Sequence, residues 1–154
     1  MKYNPEDGLS LSSQLCFPLY SAARNVTNLY SVWLKPYGLT YTQYIVFLAL
    51  WEKDGISIGE LCEKLMLDNG TLSPLLKRLQ QAGYLDRTRS RQDDRVVLVT
   101  LTDKGKALRD QVHDIPGQIA QHVNMEPERI RQLYELLYEL IEKQEEAKQS
   151  KGDI

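Results

Sequence analysis

The chain has 154 residues, of which 42% are hydrophobic and 26% are charged, with a formal net charge of -2. These ordinary globular values exclude wholesale disorder and predict one domain, while two cysteines without zinc-ligand spacing exclude a disulfide scaffold and a zinc site. The first residues, MKYNPEDG, lack the features of a secretory signal, and no run approaches the ~18 apolar residues that span a bilayer. We therefore expect a cytoplasmic protein without a membrane partner. We also expect neither a metal nor a cofactor.

Periodicity and capping signals predict six helices and one β-hairpin. Capping boxes that begin at Thr40 and Ser57 open the second and third helices, and Gly83 ends the fourth. Pro116 and Gly117 predict a break or kink within the fifth helix. In chain order the elements are helices over about 11–34, 40–55, 57–65 and 71–82, the alternating strands YLDRTRS and RVVLVTLT around the turn RQDD, and helices from 102 and over about 126–148.

The resulting order, α-α-α-α-β-β-α-α, predicts a mainly α fold with a small β-hairpin wing. A short capped helix, a tight turn in LDNG that contains Gly70, and a second helix are typical of a helix-turn-helix. A hairpin directly after such a pair is typical of a wing. We therefore expect a winged helix-turn-helix over about residues 40–102.

Basic side chains concentrate on the predicted helix and wing. Between Thr71 and Arg95 six bases accompany three acids, a local charge of +3 in a chain of -2. From Glu126 to Lys148 the balance reverses, with seven acids and four bases. A positive surface confined to a helix-turn-helix and its wing indicates duplex DNA as the partner, the alternative being a solvated face with no such role.

The start of the predicted recognition helix carries candidate DNA contacts. Thr71, Ser73 and Pro74 open this helix, where short hydroxyls and N-terminal amides suit backbone and base-edge contacts in the major groove. Lys77 and Arg78 lie about one turn further on and favour phosphate groups.

The wing supplies three more candidates: Arg91, Asp93 and Arg95. Asp93 and Arg95 are two residues apart, so the carboxylate can fix the guanidinium plane and direct it into a narrow minor groove. The alternative is a surface ion pair worth roughly 0–1 kcal/mol.

The stretch LDNGTLSPLLKRLQQAGYLDRTRSRQDDRVVLVTLTDKG resembles the MarR family of winged helix-turn-helix transcription regulators, including a D-x-R…LT pattern at Asp93, Arg95, Leu101 and Thr102. QLCFPLYSAARNVTNLYSVWLKPYGLTYTQYIVFLALWE is similar to the OhrR/MgrA-like branch of thiol-based organic peroxide sensors. The resemblance implies one domain over residues 1–154, dimerisation helices over about 11–36 and 103–149, and a homodimer on a palindromic operator. It also implies a repressor released when the first-helix cysteine is oxidised.

Cys16 is the candidate redox-sensing residue. Tyr20 lies one turn further along the same helical face and could border the sulfur. Tyr30 lies about 21 Å along that helix and cannot reach Cys16 of its own subunit. The resemblance implies that Tyr30 and Tyr41 of the partner subunit donate hydrogen bonds to the thiolate. Because no Lys, Arg or His lies within one turn of Cys16, activation by these phenols, by a helix N-terminus or by charges from elsewhere in the fold stays open.

Cys62 is interpreted as structural, on the inward face of the third helix beside Leu61 and Leu65. Two-cysteine members of the OhrR group carry a resolving cysteine near the C-terminal end, and this chain has none there. We therefore expect a one-cysteine mechanism, in which a low-molecular-weight thiol traps the sulfenate or oxidation proceeds further.

Three other functions remain as alternatives. A regulator of this family could instead respond to a non-covalent phenolic or aromatic ligand, with Cys16 uninvolved. A thiol peroxidase is disfavoured because His113 and His122 stand outside any catalytic context, so we expect no enzyme activity. A protein-interaction module would show no salt-dependent affinity for DNA.

Overall fold

The computed structural model describes residues 8–151, which form two compact units, 8–119 and 120–151. Short 3-10 turns occupy Leu11–Ser13 and Lys35–Tyr37. The regular elements are α1 (Cys16–Leu34), α2 (Tyr41–Glu52), β1 (Ile56–Ser57), α3 (Ile58–Leu65), α4 (Asn69–Gln81), β2 (Leu85–Arg89), β3 (Val97–Leu101), α5 (Asp103–Gln111), α6 (Ile115–Val123) and α7 (Pro127–Lys151). The predicted class, a mainly α winged helix, is confirmed. No helix within residues 8–151 is long and apolar enough to cross a bilayer.

The core of the first unit is built on α2, α4 and the sheet. Phe47 of α2 stacks on Trp51 at 5.5 Å between ring centroids and meets Tyr84 edge-on at 5.4 Å. Leucines spaced four and three residues apart bury one face of α4, which leaves its polar face free. The fully buried side chains include Val46, Phe47, Leu50, Leu61, Leu72, Leu76, Leu79, Leu85, Val99, Leu108 and Val112.

The wing belongs to a three-stranded antiparallel sheet in the order β1-β3-β2, whereas the sequence predicted only the hairpin. Ile56 of β1 pairs with Val99 of β3, and Arg89 and Val97 close the β2–β3 ladder. A two-residue strand is too short to show a period of two, so β1 escaped prediction.

Helix α4 begins two residues before the predicted start at Thr71. Met66 ends α3 in a left-handed conformation with φ of 53°, so the chain reverses earlier than LDNG suggested. Asp68 then caps α4 by accepting a hydrogen bond from the Thr71 amide, which makes Asn69 and Gly70 helical. Gly83 follows α4 with φ of 75°, as its predicted role as a helix stop requires.

Prolines determine where two further helices begin. Pro18 lies in the first turn of α1. Its ring would clash with the carbonyl of a helical residue at position 14, and it has no N–H to donate to that carbonyl, so the helix does not extend back that far. The α-helix therefore begins at Cys16 instead of about Leu11. The predicted break in the fifth helix falls just before Pro116, which occupies the first turn of α6, where a missing N–H costs little.

Candidate DNA interface and thiol site

The N-terminal end of α4 carries two hydrogen-bonded pairs of side chains. Asp68 accepts from the Thr71 amide through Oδ1 at 2.8 Å and from the Thr71 hydroxyl through Oδ2 at 2.6 Å. In the second pair, the Ser73 hydroxyl donates to Oδ1 of Asn69 at 2.6 Å. The side-chain and then the backbone hydrogen bond from Thr71 lower the pKa of Asp68, so this carboxyl is ionised at neutral pH.

The sequence prediction did not include Asp68 and Asn69, although Asp is a preferred N-cap residue. Because α4 starts earlier than predicted, Ser73 and Pro74 lie in its second turn instead of opening it. Thr71, Pro74, Lys77 and Arg78 are all exposed on the side opposite the buried leucines, with Ser73 half-buried. The recognition helix thus presents a polar, basic face.

The wing carries a bidentate pair between Asp93 and Arg95. Nε of Arg95 donates to Oδ1 of Asp93 at 3.0 Å and Nη2 donates to Oδ2 at 2.9 Å, while the Arg95 side chain is 90% exposed. These hydrogen bonds lower the pKa of Asp93 and raise the pKa of Arg95. The carboxylate therefore holds the guanidinium plane while the rest of the side chain faces solvent, and Arg91 is exposed in the same loop.

A hydrogen bond between Arg87 and Gln80 links the wing to the recognition helix. Nε of Arg87, in β2, donates to Oε1 of Gln80, near the end of α4, at 2.8 Å. From the sequence, Arg87 is only one of the six basic residues of the helix and wing, because a contact across a turn leaves no periodic signal. The bond constrains the wing and α4 relative to each other.

A groove of about 790 Å³ lies between α3, the start of α4 and the segment of the wing that leads from its loop into β3. Cys62 lines this groove together with Asn69, Ser73 and Arg95. The expectation of a core position is wrong for Cys62: the side chain is half-buried, whereas its neighbour Leu61 is fully buried. Successive helical residues point about 100° apart, so only one of the two faces the core. Burial raises the pKa of the Cys62 thiol, with Asp68 and Glu63 adding to the effect.

Cys16 is exposed at the first residue of α1. Its Sγ lies 3.9 Å from Oε1 of Gln14. Tyr20, one turn further on, is 62% exposed, and its ring faces the guanidinium carbon of Arg24 at 5.6 Å. Arg24 thus brings a positive charge over the ring of Tyr20, two turns along α1 from Cys16, which sequence spacing alone did not reveal.

Tyr30 and Tyr41 lie together within one subunit. Their ring centroids are 4.8 Å apart, and Tyr44, absent from the predicted site, lies 5.6 Å from Tyr30. Burial raises the pKa of all three phenols, and Tyr41 raises that of Tyr30 further. They are therefore neutral hydrogen-bond donors near pH 7. Tyr30 is separated from Cys16 by most of the length of α1, about 21 Å, so a single subunit does not bring sulfur and phenols together.

A metal site would need histidine, cysteine or acidic side chains of the described residues to lie close together. Among residues 8–151 no group of three His, Cys, Asp or Glu side chains is placed to hold a metal ion. His113 bonds to the adjacent Asp114, an exposed pair at the end of α5. The chemistry-bearing groups of the described residues are thus the basic helix and wing, the Cys16 thiol and the tyrosine cluster.

The fold, with its basic helix and wing, defines a winged-helix DNA-binding transcription regulator. The family model of the transcriptional regulator SarA/Rot matches residues 28–112. The chain belongs to this family of MarR-like winged-helix regulators.

Relatives and solved structures agree with this assignment. The organic hydroperoxide resistance transcriptional regulator of Bacillus subtilis (strain 168) is 41% identical over 139 residues, 90% of this chain and 95% of that protein. The structure of reduced AbfR of Staphylococcus epidermidis bound to DNA matches with a TM-score of 0.74 and 32% identity, over 90% of this chain and 96% of that one. The structure of overoxidised AbfR bound to DNA matches with a TM-score of 0.72 and 34% identity, over 90% of this chain and 99% of that one. Bordetella bronchiseptica BpsR, whose DNA binding is regulated by 6-hydroxynicotinic acid, matches with TM-score 0.78 and 25% identity over 85% of this chain and 95% of that one.

Proposed function

We propose that this chain is a homodimeric repressor that leaves a palindromic operator when an organic hydroperoxide oxidises Cys16. The observation that carries the proposal is the placement of Cys16 at the start of α1 and of Tyr30, with Tyr41 of α2 against it, near the other end of α1. An exposed thiol at the start of the helix has its candidate hydrogen-bond donors on the same chain, out of its own reach. A two-fold symmetric dimer supplies those donors from the partner subunit.

Exposed apolar side chains support self-association. Leu15 and Val32 of the first helical segment are 59% and 66% exposed, and α7 exposes Leu133 and Leu136. Large apolar patches that are exposed in a single chain commonly mark surfaces that bind another protein chain. We assign dimerisation to about residues 11–36 and 103–149 and DNA binding to about 40–102, within one domain over residues 1–154.

DNA recognition is assigned to the exposed face of α4 and to the wing. Thr71, Ser73 and Pro74 face the base edges of the major groove, and Lys77 and Arg78 face phosphates. Arg95, oriented by Asp93, enters the adjacent minor groove with Arg91 beside it. The dimer places two such surfaces at half-sites about 34–36 Å apart or a multiple of that distance.

The redox step consumes one hydroperoxide per thiol. Sulfur attacks the peroxide, an S–O bond forms as the O–O bond breaks, and the alcohol leaves with a proton, so Cys16 becomes a sulfenic acid. A low-molecular-weight thiol then forms an S–S bond with Cys16 and releases water. Consumption of one hydroperoxide per Cys16 thiol is the stoichiometry of a sensor, whereas a peroxidase would consume many.

The bulky adduct, and not the oxyacid, is proposed to release DNA. Overoxidised AbfR was solved on DNA, so oxygen addition alone is compatible with binding in that relative. A mixed disulfide in a packed interface costs roughly 1–3 kcal/mol per site by overpacking. Losing a few kcal/mol from the DNA-competent state is enough to change its population by orders of magnitude.

Fluorescence anisotropy with DNA from upstream of the protein's own gene tests the proposal. Reduced protein, protein with one equivalent of cumene hydroperoxide, and protein with hydroperoxide plus a small thiol are compared in wild type, Cys16→Ser and the matched control Cys62→Ser. We expect release only with the added thiol, in wild type and Cys62→Ser. Release that persists in Cys16→Ser, or no release in any of them, would overturn the redox mechanism.

Control by a non-covalent phenolic or aromatic ligand is the second candidate. The likeness to BpsR, which responds to an aromatic acid, favours it, as does the cluster of Tyr30, Tyr41 and Tyr44, of which the first two are half-buried and the third is buried. Release of DNA by 6-hydroxynicotinic acid or salicylate, equally in wild type and Cys16→Ser and without peroxide, would identify this mode.

A further inference from the structure

The Thr71 hydroxyl donates a hydrogen bond to the carboxylate of Asp68. Oγ1 of Thr71 lies 2.6 Å from Oδ2 of Asp68. An ionised carboxylate only accepts hydrogen bonds, so the single proton of the Thr71 hydroxyl lies on the line between the two oxygens. The hydroxyl is left with a lone pair, and no proton, for any group that approaches α4 from solvent.

The direction of this hydrogen bond determines which base edges the Thr71 hydroxyl can contact in the major groove. Adenine and cytosine present amino groups there, which donate hydrogen bonds, whereas the guanine O6 and the thymine O4 only accept them. A hydroxyl with a free proton tolerates either kind of base. A hydroxyl whose proton is committed to Asp68 accepts from an amino group and is left unpaired against a carbonyl.

We propose that Asp68 sets the base preference of Thr71, restricting its contact to an adenine or cytosine amino group in each half-site. The inference rests on the proposed binding of α4 in the major groove and is independent of the redox mechanism. Asp68 is a positioning residue here, since it acts through the hydroxyl that it holds. Oδ1 of Asp68 at the same time caps the helix by accepting a hydrogen bond from the Thr71 amide at 2.8 Å.

Asp68→Asn separates these two roles. Asn caps helices about as well as Asp, so its Oδ1 keeps the bond from the Thr71 amide. Its amide nitrogen replaces Oδ2 beside the Thr71 hydroxyl and donates to it. The hydroxyl proton then turns outward, and the preferred partner becomes a carbonyl-bearing base, guanine or thymine.

The test is selection from a randomised duplex library with the full-length reduced protein, followed by affinities for the four bases at each position. Wild type is compared with Asp68→Asn, with Thr71→Val, and with the matched control Glu63→Gln, which removes one negative charge from the same groove. Circular dichroism melts verify that each variant is folded.

We expect one position per half-site at which wild type and Glu63→Gln prefer adenine or cytosine by roughly tenfold, the range of a single mismatched base pair. At that position Thr71→Val loses the preference and Asp68→Asn shifts it to guanine or thymine. An unchanged preference in Asp68→Asn, or the same shift in Glu63→Gln, would overturn the inference. Enrichment of no sequence by wild type would instead contradict the proposed function itself.

Discussion

Gly105 of α5 packs against the backbone carbonyl of Tyr84, so closely that a Cβ at this position would overlap the carbonyl oxygen. Both sides of the contact are fixed. The Tyr84 carbonyl accepts from the Thr102 amide at 3.1 Å, and the Gly105 carbonyl accepts from the Trp51 indole at 3.0 Å. The junction between the wing and α5 therefore has no room for a side chain.

Gly105→Ala should lower the free energy of unfolding by about 3 kcal/mol, because the backbone of a packed junction must move to accommodate the methyl group. Urea unfolding followed by circular dichroism measures the effect. The matched control is Gly117→Ala in α6, where an added Cβ meets nothing within 4 Å and should be neutral or stabilising. Equal stabilities for the two variants would contradict the close packing at Gly105.

Arg95→Ala should weaken operator binding by more than about 1 kcal/mol and reduce the slope of log affinity against log salt by about one. Asp93→Ala should weaken binding in the same direction, since the guanidinium loses its fixed plane. In the double variant the effects should not add, because Asp93 acts through Arg95. Anisotropy over a salt series provides the measurement; an effect of Asp93→Ala that survives in the Arg95→Ala background would show an independent role.

Glu60 should make the stability of the fold depend on pH in the acid range. Hydrogen bonds from the Ser57 backbone and side chain, followed by Lys53, lower the pKa of Glu60 from its ordinary 4.5 to about 2. Because the folded pKa is depressed, the stabilisation is present above pH 4.5 and is lost as the pH falls towards 2. Unfolding free energies of wild type and Glu60→Gln should therefore converge over this interval. A constant difference between them would refute the assignment.

Tyr30→Phe should slow the oxidation of Cys16 by cumene hydroperoxide by roughly tenfold, since a hydrogen bond to a charged group contributes about 1.5–3 kcal/mol. Stopped-flow measurement of sulfenic acid formation gives the rate. Tyr37→Phe is the matched control, because that phenol donates to the Gln111 carbonyl at 2.9 Å, away from the tyrosine cluster. Equal rates in the two variants would remove Tyr30 from the thiol site.

The sequence predicted those features whose cause is local. The capping boxes at Thr40 and Ser57 and the stop at Gly83 each depend on residues within one turn, and all three are present. The Asp93–Arg95 pair, two residues apart, was found for the same reason.

Features that depend on contacts distant in sequence, or on two competing local signals, were missed or misplaced. Strand β1 exists only because β3 supplies its partner. The Gln80–Arg87 bond crosses the turn between α4 and β2. Cys62 was placed in the core because the helical pattern does not show which of two adjacent residues the neighbouring elements cover. The start of α4 was misjudged because Gly70 suggested a turn where the Asp68 cap determined a helix.

The Gln80–Arg87 hydrogen bond has a consequence for how operators recognised by this regulator can vary. In the proposed binding mode α4 contacts bases in the major groove and the wing contacts the adjacent minor groove, so this hydrogen bond restrains the distance between the two sets of contacts. We therefore expect a base pair inserted between the two contacted segments of a half-site to weaken binding strongly, and a base pair inserted between the half-sites of the proposed dimer to weaken binding less. Under this proposal, the base-pair spacing within a half-site is constrained more tightly than the spacing across the centre of the operator.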